Sequence, residues 1–300
     1  MPPPPRASYP QILRGQTFAW WRSVLGVVCG LSLFLLLTTV VSQAVVALVW
    51  ALTAGEVPYR DYFASAFAFQ RPVGMLAVNL GIATLIPISW LLMALVHRVQ
   101  PRWLGSVQPR LRWRYLLVCL GTSAVALNGV LAVSLLVEPG LGFGAQPRFW
   151  AFLLVIVLTS PIQAAAEEYF FRGYLTQALG SLFTHPLFGV LLSSVLFALF
   201  HGLQNPALFV DRLAFGLLAA LLVWRTGGLE AGIAAHVVNN VSAYVFAGLT
   251  TSIAAVKATR EITWLDAAFD VGGFVLCALL ALLVARRMRL RTRVALTAGR

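Results

Sequence analysis

The stretch AAAEEYFFRGYL, residues 164–175, places two adjacent carboxylates inside an otherwise apolar part of the chain. Only ten of the 300 residues are acidic, and two of them, Glu167 and Glu168, are neighbours here. Residues 149–166 before the pair are mostly apolar, and apolar residues return directly after it. A carboxylate in membrane hydrocarbon costs several kcal/mol and usually marks a functional position. The stretch therefore predicts either a solvated pair at the end of a membrane span or a functional pair inside one.

The composition is that of an integral membrane protein. Hydrophobic residues make up 60% of the chain and charged residues 11%, whereas about a quarter of a soluble domain is charged. A membrane-spanning helix needs about 20 apolar residues. We therefore predict an all-α fold, a polytopic membrane protein with about eight transmembrane helices. The predicted spans are 24–52, 73–96, 115–137, 149–180, 186–203, 207–224, 229–249 and 268–285.

The basic residues indicate how the spans are oriented. Fourteen of the 22 basic residues lie in an N-terminal tail (1–23), a C-terminal tail (286–300) and the loop 98–114. Cytoplasmic segments carry an excess of Arg and Lys, so both ends of the transmembrane domain (24–285) are predicted to be cytoplasmic. The Arg clusters beside apolar spans predict contact with anionic headgroups of the cell membrane rather than with nucleic acid. The Arg- and Ala-rich composition, with a single Lys, suggests a bacterial protein.

Helical spacing separates the two adjacent glutamates. Glu168 and Arg172 are four residues apart, so they share a helix face and can form an ion pair. Glu167 points about 100° away from that face. One carboxylate is thus predicted to be neutralised locally, and the other is left to face another part of the protein.

Two histidines are candidates for that other part. His201 lies at the end of an apolar run and is followed by Gly202, so it could equally be an unremarkable residue at a helix end. His236 and Asn240 are four apart on one face of the seventh span, where they could also form only a hydrogen-bonding patch between helices. Asn239 lies on a different face and is interpreted as a packing or lipid-interface residue.

Helix lengths predict that these groups meet. Glu167 and His201 each lie roughly 21–22 Å along a helix from the turn at 181–186, so antiparallel neighbours would bring them level. His236 lies only about 12 Å from the start of its span, so a shared level requires residues 172–185 to protrude by roughly 10 Å. We therefore predict an active-site cavity between the fourth, fifth and seventh spans.

A carboxylate, two imidazoles and a carboxamide can hydrolyse a bond. Glu167 can take a proton from water, and His or Asn side chains can donate hydrogen bonds to an oxyanion. Glu167, His201 and His236 could instead hold Zn²⁺ with an open position. His-Glu-x-x-His and Gly-x-Ser-x-Gly motifs are absent, so water is the expected nucleophile. Asn240 favours a site without an obligatory metal, because a zinc shell would more often orient its histidine with a carboxylate.

Three short motifs in these segments resemble the CPBP family, which comprises type II CAAX prenyl endopeptidases and bacteriocin-processing or self-immunity proteins. The family pattern Glu-Glu-x-x-x-Arg, Phe-x-x-x-His and His-x-x-x-Asn occurs here in order as EEYFFR, FALFH and HVVNN. The resemblance covers about residues 145–250, the predicted catalytic core. The matching residues are Glu167, Glu168, Arg172, Phe197, His201, His236 and Asn240.

The resemblance implies an eight-helix intramembrane endopeptidase. In that family pattern, Glu167 and His201 would activate water, and His236 with Asn240 would stabilise the oxyanion. The Glu168–Arg172 pair and Phe197 would support the site. Both a zinc mechanism and a metal-free glutamate mechanism are argued for the family, so zinc stays a possible cofactor and no obligatory cofactor is predicted.

The expected substrate is a membrane-embedded or lipidated peptide. One alternative is a membrane scaffold or regulator that binds a peptide in the same cavity without cleaving it. A transporter is less favoured, because the two halves of the chain show no repeat of hydropathy. The neighbouring Asp211 and Arg212 are interpreted as structural.

Overall fold

The computed structural model describes residues 1–53, 57–137, 142–202 and 204–295 of the chain. Throughout these ranges, all extended regular structure is helical. Three charged residues, Glu56, Glu138 and Arg300, lie outside the described residues. The helices are α1 Trp20–Leu52, α2 Tyr59–Phe67, α3 Pro72–Val96, α4 Trp113–Val137, α5 Phe149–Leu182, α6 Leu187–Leu199, α7 Pro206–Thr226, α8 Glu230–Thr250, α9 Ile253–Ala258 and α10 Trp264–Arg287.

The all-α polytopic fold is confirmed, with one difference in the fifth predicted span. Among the described residues, seven helices (α1, α3, α4, α5, α7, α8 and α10) are long and apolar enough to cross a membrane. The segment predicted at 186–203 instead contains α6, whose 13 residues reach only about 20 Å against about 30 Å of hydrocarbon. The helix ends because Gly202 has a positive φ of 82°, a conformation that a helix cannot continue.

Large apolar side chains cover the outside of the bundle. Leu35 on α1, Val125 on α4 and Leu154 on α5 are all more than half exposed. Contiguous apolar surface of this kind is unfavourable in water and is stable against lipid. The outward faces of the helices are therefore the surface that meets the hydrocarbon.

The two terminal segments lie together at one end of the bundle, here called the termini face. The N–H of Arg6 donates to the carbonyl of Val294 (2.9 Å), and the N–H of Val294 donates to the carbonyl of Ala7 (3.0 Å). The N–H of Val107 donates to Gly227 at the same end (2.8 Å). Because both terminal segments lie on this face, the chain between them crosses the bundle an even number of times.

The opposite face is formed by the loops that precede α5, α7 and α10. The N–H of Gly144 donates to Leu249 (2.8 Å), and the N–H of Asn205 donates to Arg260 (2.8 Å). The contact at Asn205 places this residue on the opposite face, six residues after the end of α6. The fifth predicted span therefore begins as a helix that is too short to cross the bundle alone, and the chain has reached the opposite face by Asn205.

The glycines at the start of α1 allow it to pack closely on α5. A Cβ at Gly26 would lie 2.0 Å from the Tyr174 hydroxyl, and one at Gly30 would lie 3.1 Å from the Phe170 ring. Small residues four apart permit this approach of two membrane helices. Gly232 brings α8 close to Glu168 on α5, whereas Gly228 lies before α8 and faces Arg112 and Ser106.

The orientation of the bundle in the membrane can be tested directly. The excess of Arg on the termini face predicts that this face is cytoplasmic. A reporter fused after residue 295 should therefore be active only in the cytoplasm, and one inserted at 257–260 only outside it. Reporters that place both sites on the same side would contradict the arrangement.

Candidate active site

Helix α5 carries the two glutamates into the interior of the bundle. The helix does not end at the charged pair but continues for 34 residues, from Phe149 to Leu182. Residues 168–175 form a π-helix, which is rare and occurs mostly at functional sites. The side chain of Glu168 is fully buried, and the side chain of Glu167 is 11% exposed. The alternative of a solvated pair at the end of a span is therefore wrong.

The predicted ion pair between Glu168 and Arg172 is present. Arg172 Nη1 lies 3.0 Å from Glu168 Oε1, and both side chains are at most 1% exposed. The Arg172 guanidinium also lies 3.8 Å from the centre of the Phe197 ring and 5.1 Å from that of Phe215. Its nitrogens have no well-aligned hydrogen bond to any described residue, so the charge is held by the carboxylate and the two ring faces.

His236 lies between the two glutamates. Its Nδ1 is 2.9 Å from Glu168 Oε1, and its Nε2 is 3.4 Å from Glu167 Oε2. Glu167 on α5 therefore contacts His236 on α8. Glu167 lies 15 residues before the end of α5, whereas His236 lies only six residues after the start of α8. The α5 helix therefore protrudes past the start of α8, as the sequence required.

His201 reaches the site from the end of α6. Its Nδ1 lies 2.8 Å from the Phe197 carbonyl oxygen, which can only accept, so Nδ1 carries the proton. In the neutral imidazole, Nε2 is then the nitrogen with the lone pair. No hydrogen bond or ion pair joins His201 directly to Glu167 in the described part of the chain, but both side chains line one cavity.

Asn240 is held by a residue that sequence reasoning missed. Its Nδ2 donates to Gln163 Oε1 at 3.0 Å, and Gln163 is buried one turn before Glu167 on α5. A primary amide nitrogen has two hydrogens, so one remains for another acceptor. The available signal was a glutamine four residues before Glu167 in an apolar run. Phe215, whose ring centre lies 5.0 Å from that of His236, carried no such signal.

The cavity that contains these groups has a volume of about 340 Å³. It was predicted between the fourth, fifth and seventh spans, which are α5, α6 and α8. Side chains of α1, α3, α7 and α9 also form its walls, so it is wider than predicted. Beyond the residues already described, polar groups in the wall are Asn79, Gln204, Arg212, Asn239, Tyr244, Lys257, Thr259 and Arg260.

The side chains do not assemble a metal site. In the ranges that the structure describes, no three His, Cys, Asp or Glu side chains are grouped so as to hold an ion. Both ring nitrogens of His236 face carboxylates. Glu168 does orient His236, however. The carboxylate that was not expected beside this histidine is therefore present, and Asn240 no longer discriminates between a zinc mechanism and a metal-free mechanism.

The fold and the site together define a polytopic membrane protein with a buried glutamate–histidine cluster. The resemblance stated from the motifs is confirmed: residues 147–242 match the family model described as type II CAAX prenyl endopeptidase, Rce1-like. At the level of the family, this match supports a CAAX-type intramembrane protease.

One curated relative was found for the chain. It is 28% identical over 171 residues to the uncharacterized protein YyaK of Bacillus subtilis (strain 168). The match covers 54% of this chain and 57% of YyaK, so the chain spans little more than half the length of its relative. No solved structure matches the chain.

Gly232 allows α8 to approach the buried Glu168, so a larger residue at this position is expected to disturb the site. A Cβ at this position would lie 2.7 Å from Oε2 of the fully buried Glu168, closer than two non-bonded atoms can approach, so the carboxylate must shift. Gly232→Ala should therefore displace Glu168 from His236. Displacements of about 1 Å can reduce catalysis about 100-fold, and we expect a loss of peptide cleavage of that order.

The matched control is Gly272→Ala on α10, where a Cβ would meet open space. Cleavage rates of both purified variants should be compared at equal folded protein, measured by thermal unfolding. A Gly232→Ala variant with wild-type activity would show that the position of Glu168 is not critical.

Proposed function

We propose that this protein is an intramembrane endopeptidase that hydrolyses a peptide bond in a membrane-embedded or lipidated peptide. The observation that carries the proposal is the shared cavity, in which the Glu167 carboxylate and the lone-pair nitrogen of His201 face the same space. The family match at residues 147–242 supports a peptidase of the CAAX type.

Charge balance supports a mobile proton at Glu167. Two carboxylates and the Arg172 guanidinium leave one negative charge in a nearly dry cluster. The Nδ1 of His236 donates to Glu168, so its Nε2 would meet Glu167 as two lone pairs unless a proton lay between them. A proton held by the Glu167–His236 pair removes both the repulsion and the net charge. The pair can thus receive and return a proton.

The proposed reaction uses these groups in order. A water between Glu167 and His201 loses a proton to one of them and attacks the carbonyl carbon of the peptide bond. The free hydrogen of the Asn240 amide donates to the resulting oxyanion, and Gln163 holds the amide in place. The intermediate collapses as the same proton passes to the departing amine. The products are a carboxylic acid and an amine, and water is the only other reactant.

A cleavage assay tests the proposal. Purified protein in nanodiscs is incubated with a library of lipidated and unmodified peptides, and products are identified by mass spectrometry. Wild-type protein should cleave at defined bonds, whereas Glu167→Gln should not. Asp61→Asn is the matched control, because Asp61 is an exposed acid on α2 outside the cavity. Peptides that bind in the cavity without being cleaved would favour the regulator alternative and contradict the proposal.

The proposed steps need only protein groups, so cleavage should persist when metal is removed. We expect less than a twofold change in rate after dialysis against a strong chelator. Metal content should be measured on the same active sample. Stoichiometric zinc that is lost together with activity, and whose return restores activity, would overturn the metal-free sequence of steps.

A further inference from the structure

Three cationic side chains line the same cavity as the candidate catalytic groups. Arg212 comes from α7, Lys257 from α9 and Arg260 from the loop after α9. Lys257 is the single lysine of the whole sequence. Glu167 is the one acidic side chain among the described residues that form the cavity wall. The wall therefore carries more positive than negative charge.

The described part of the chain does little to neutralise these cations. Arg212 Nη1 lies 3.8 Å from Asp211 Oδ2, a long contact between adjacent residues, and its side chain is 35% exposed. Among the described residues, Arg260 donates only to the backbone carbonyls of Lys257 and Thr259. Lys257 Nζ lies 5.1 Å from the centre of the Phe69 ring. Within the described residues, neither Lys257 nor Arg260 forms an ion pair with a carboxylate.

The pKa of Lys257 depends on its burial and on the charge next to it. Desolvation by the surrounding protein, and secondarily the nearby Arg260 charge, lower the pKa of Lys257 from the ordinary lysine value. A bound anion would oppose the effect of the Arg260 charge on the pKa of Lys257, because an opposite charge nearby favours the protonated amine. The neutral amides of Gln204 and Asn239 lie in the same wall and can donate further hydrogen bonds.

We propose that Arg212, Lys257 and Arg260 form a subsite that binds a carboxylate of the peptide substrate. This inference rests on the proposed function, because it takes the occupant of the cavity to be a peptide. The cations share one cavity with Glu167 and His201, so the anion that they bind belongs to the molecule held at the catalytic groups. The carboxylate is either the C-terminal one or an acidic side chain. The sequence-based interpretation of Arg212 as purely structural is replaced by this role.

The expected effect is a preference for acidic peptides. Hydrogen bonds between charged groups contribute roughly twice as much as those between neutral groups. We expect removal of the carboxylate to weaken binding about 10- to 100-fold, the range for losing one or two charge-assisted contacts. A neutral peptide of the same length and sequence should still enter the cavity, because its apolar walls remain.

Binding is measured on Glu167→Gln protein in phosphatidylcholine nanodiscs, so that the probes are bound without being hydrolysed. The probes are three versions of one fluorescent, apolar octapeptide: a free C-terminal acid, a C-terminal amide, and an amide with one internal Asp. At least one acidic probe should bind about 10- to 100-fold tighter than the neutral amide. The probe that gains identifies which kind of carboxylate is bound. Equal binding of all three would overturn the subsite.

Substitutions then locate the preference. In the same background, Lys257→Met with Arg260→Met should abolish the difference between acidic and neutral probes, and Arg212→Met should reduce it. Arg60→Met is the matched control, because Arg60 is exposed on α2 and does not line the cavity. A preference that survives the cavity substitutions would overturn the assignment.

A lipid phosphate is the competing anion. If the cations bind headgroups, exchanging phosphatidylcholine for phosphatidylglycerol nanodiscs would remove the probe preference, and the subsite would be overturned. Retention of the preference supports it. The binding assay uses a variant that does not cleave peptides. Failure of the wild-type protein to cleave peptides would therefore contradict the proposed function without changing the outcome of the binding assay.

Discussion

Glu167→Gln is expected to reduce peptide cleavage by about 100- to 10,000-fold, the usual contribution of a positioned general base. The amide has the shape of the carboxylate but cannot take a proton from water. Glu167 faces the cavity and touches His236 at 3.4 Å without pairing to Arg172, so the fold does not depend on its charge. The thermal unfolding midpoint should stay within a few degrees of wild type.

The comparison is made with Asp61→Asn at equal concentrations of folded protein and saturating substrate. Binding of a peptide to Glu167→Gln should persist, because the loss is in the chemical step. A variant that cleaves at the wild-type rate would remove Glu167 from the mechanism. One that is inactive because it unfolds would show a role in stability that the geometry does not support.

Glu168→Ala is expected to destabilise the protein as well as inactivate it. Removing one partner of a buried ion pair costs about 3–5 kcal/mol, because the remaining charge is left without a counter-charge. Arg172 is 1% exposed, and among the described residues it forms an ion pair with no carboxylate other than that of Glu168. His236 also loses the oxygen that accepts its Nδ1 proton. Thermal unfolding followed by tryptophan fluorescence should show a clear drop in midpoint.

A second substitution separates charge from shape. Glu168→Ala combined with Arg172→Met removes both charges, and methionine can still pack between Phe197 and Phe215. Replacing a buried pair by apolar groups is often neutral or stabilising, so the double variant should recover much of the lost stability while remaining inactive. A double variant no more stable than Glu168→Ala would show that the stranded guanidinium is not the source of the loss.

The sequence predicted the parts of the site that depend on spacing along one helix. Glu168 and Arg172 are four residues apart, and the pair formed even though residues 168–175 are a π-helix. The apolar runs likewise located the membrane helices. Each of these features is local, and local patterns are what helical periodicity records.

Contacts between helices were predicted less completely. His236 faces both glutamates because α8 approaches α5 at Gly232, and the rotation of one helix against another is not encoded in the spacing of either. Phe215 entered the site for the same reason, whereas Gln163 lies four residues before Glu167 on the same helix and was missed although its local signal was present. The shortness of α6 was also missed, since hydropathy records the apolar run but not the backbone turn at Gly202 that ends it.

The pairing of Arg6 and Ala7 with Val294 makes the chain nearly a closed loop. A circular permutant that links these segments and opens at residues 105–110 would keep every helix running in its original direction, and its old and new ends would share the termini face. An opening near Gly144 would place the new ends on the opposite face. Every helix would keep its direction in that permutant as well, but the new N-terminus would have to be translocated across the membrane before α5 could insert. The order of helices can thus be rearranged, but only from one side of the membrane.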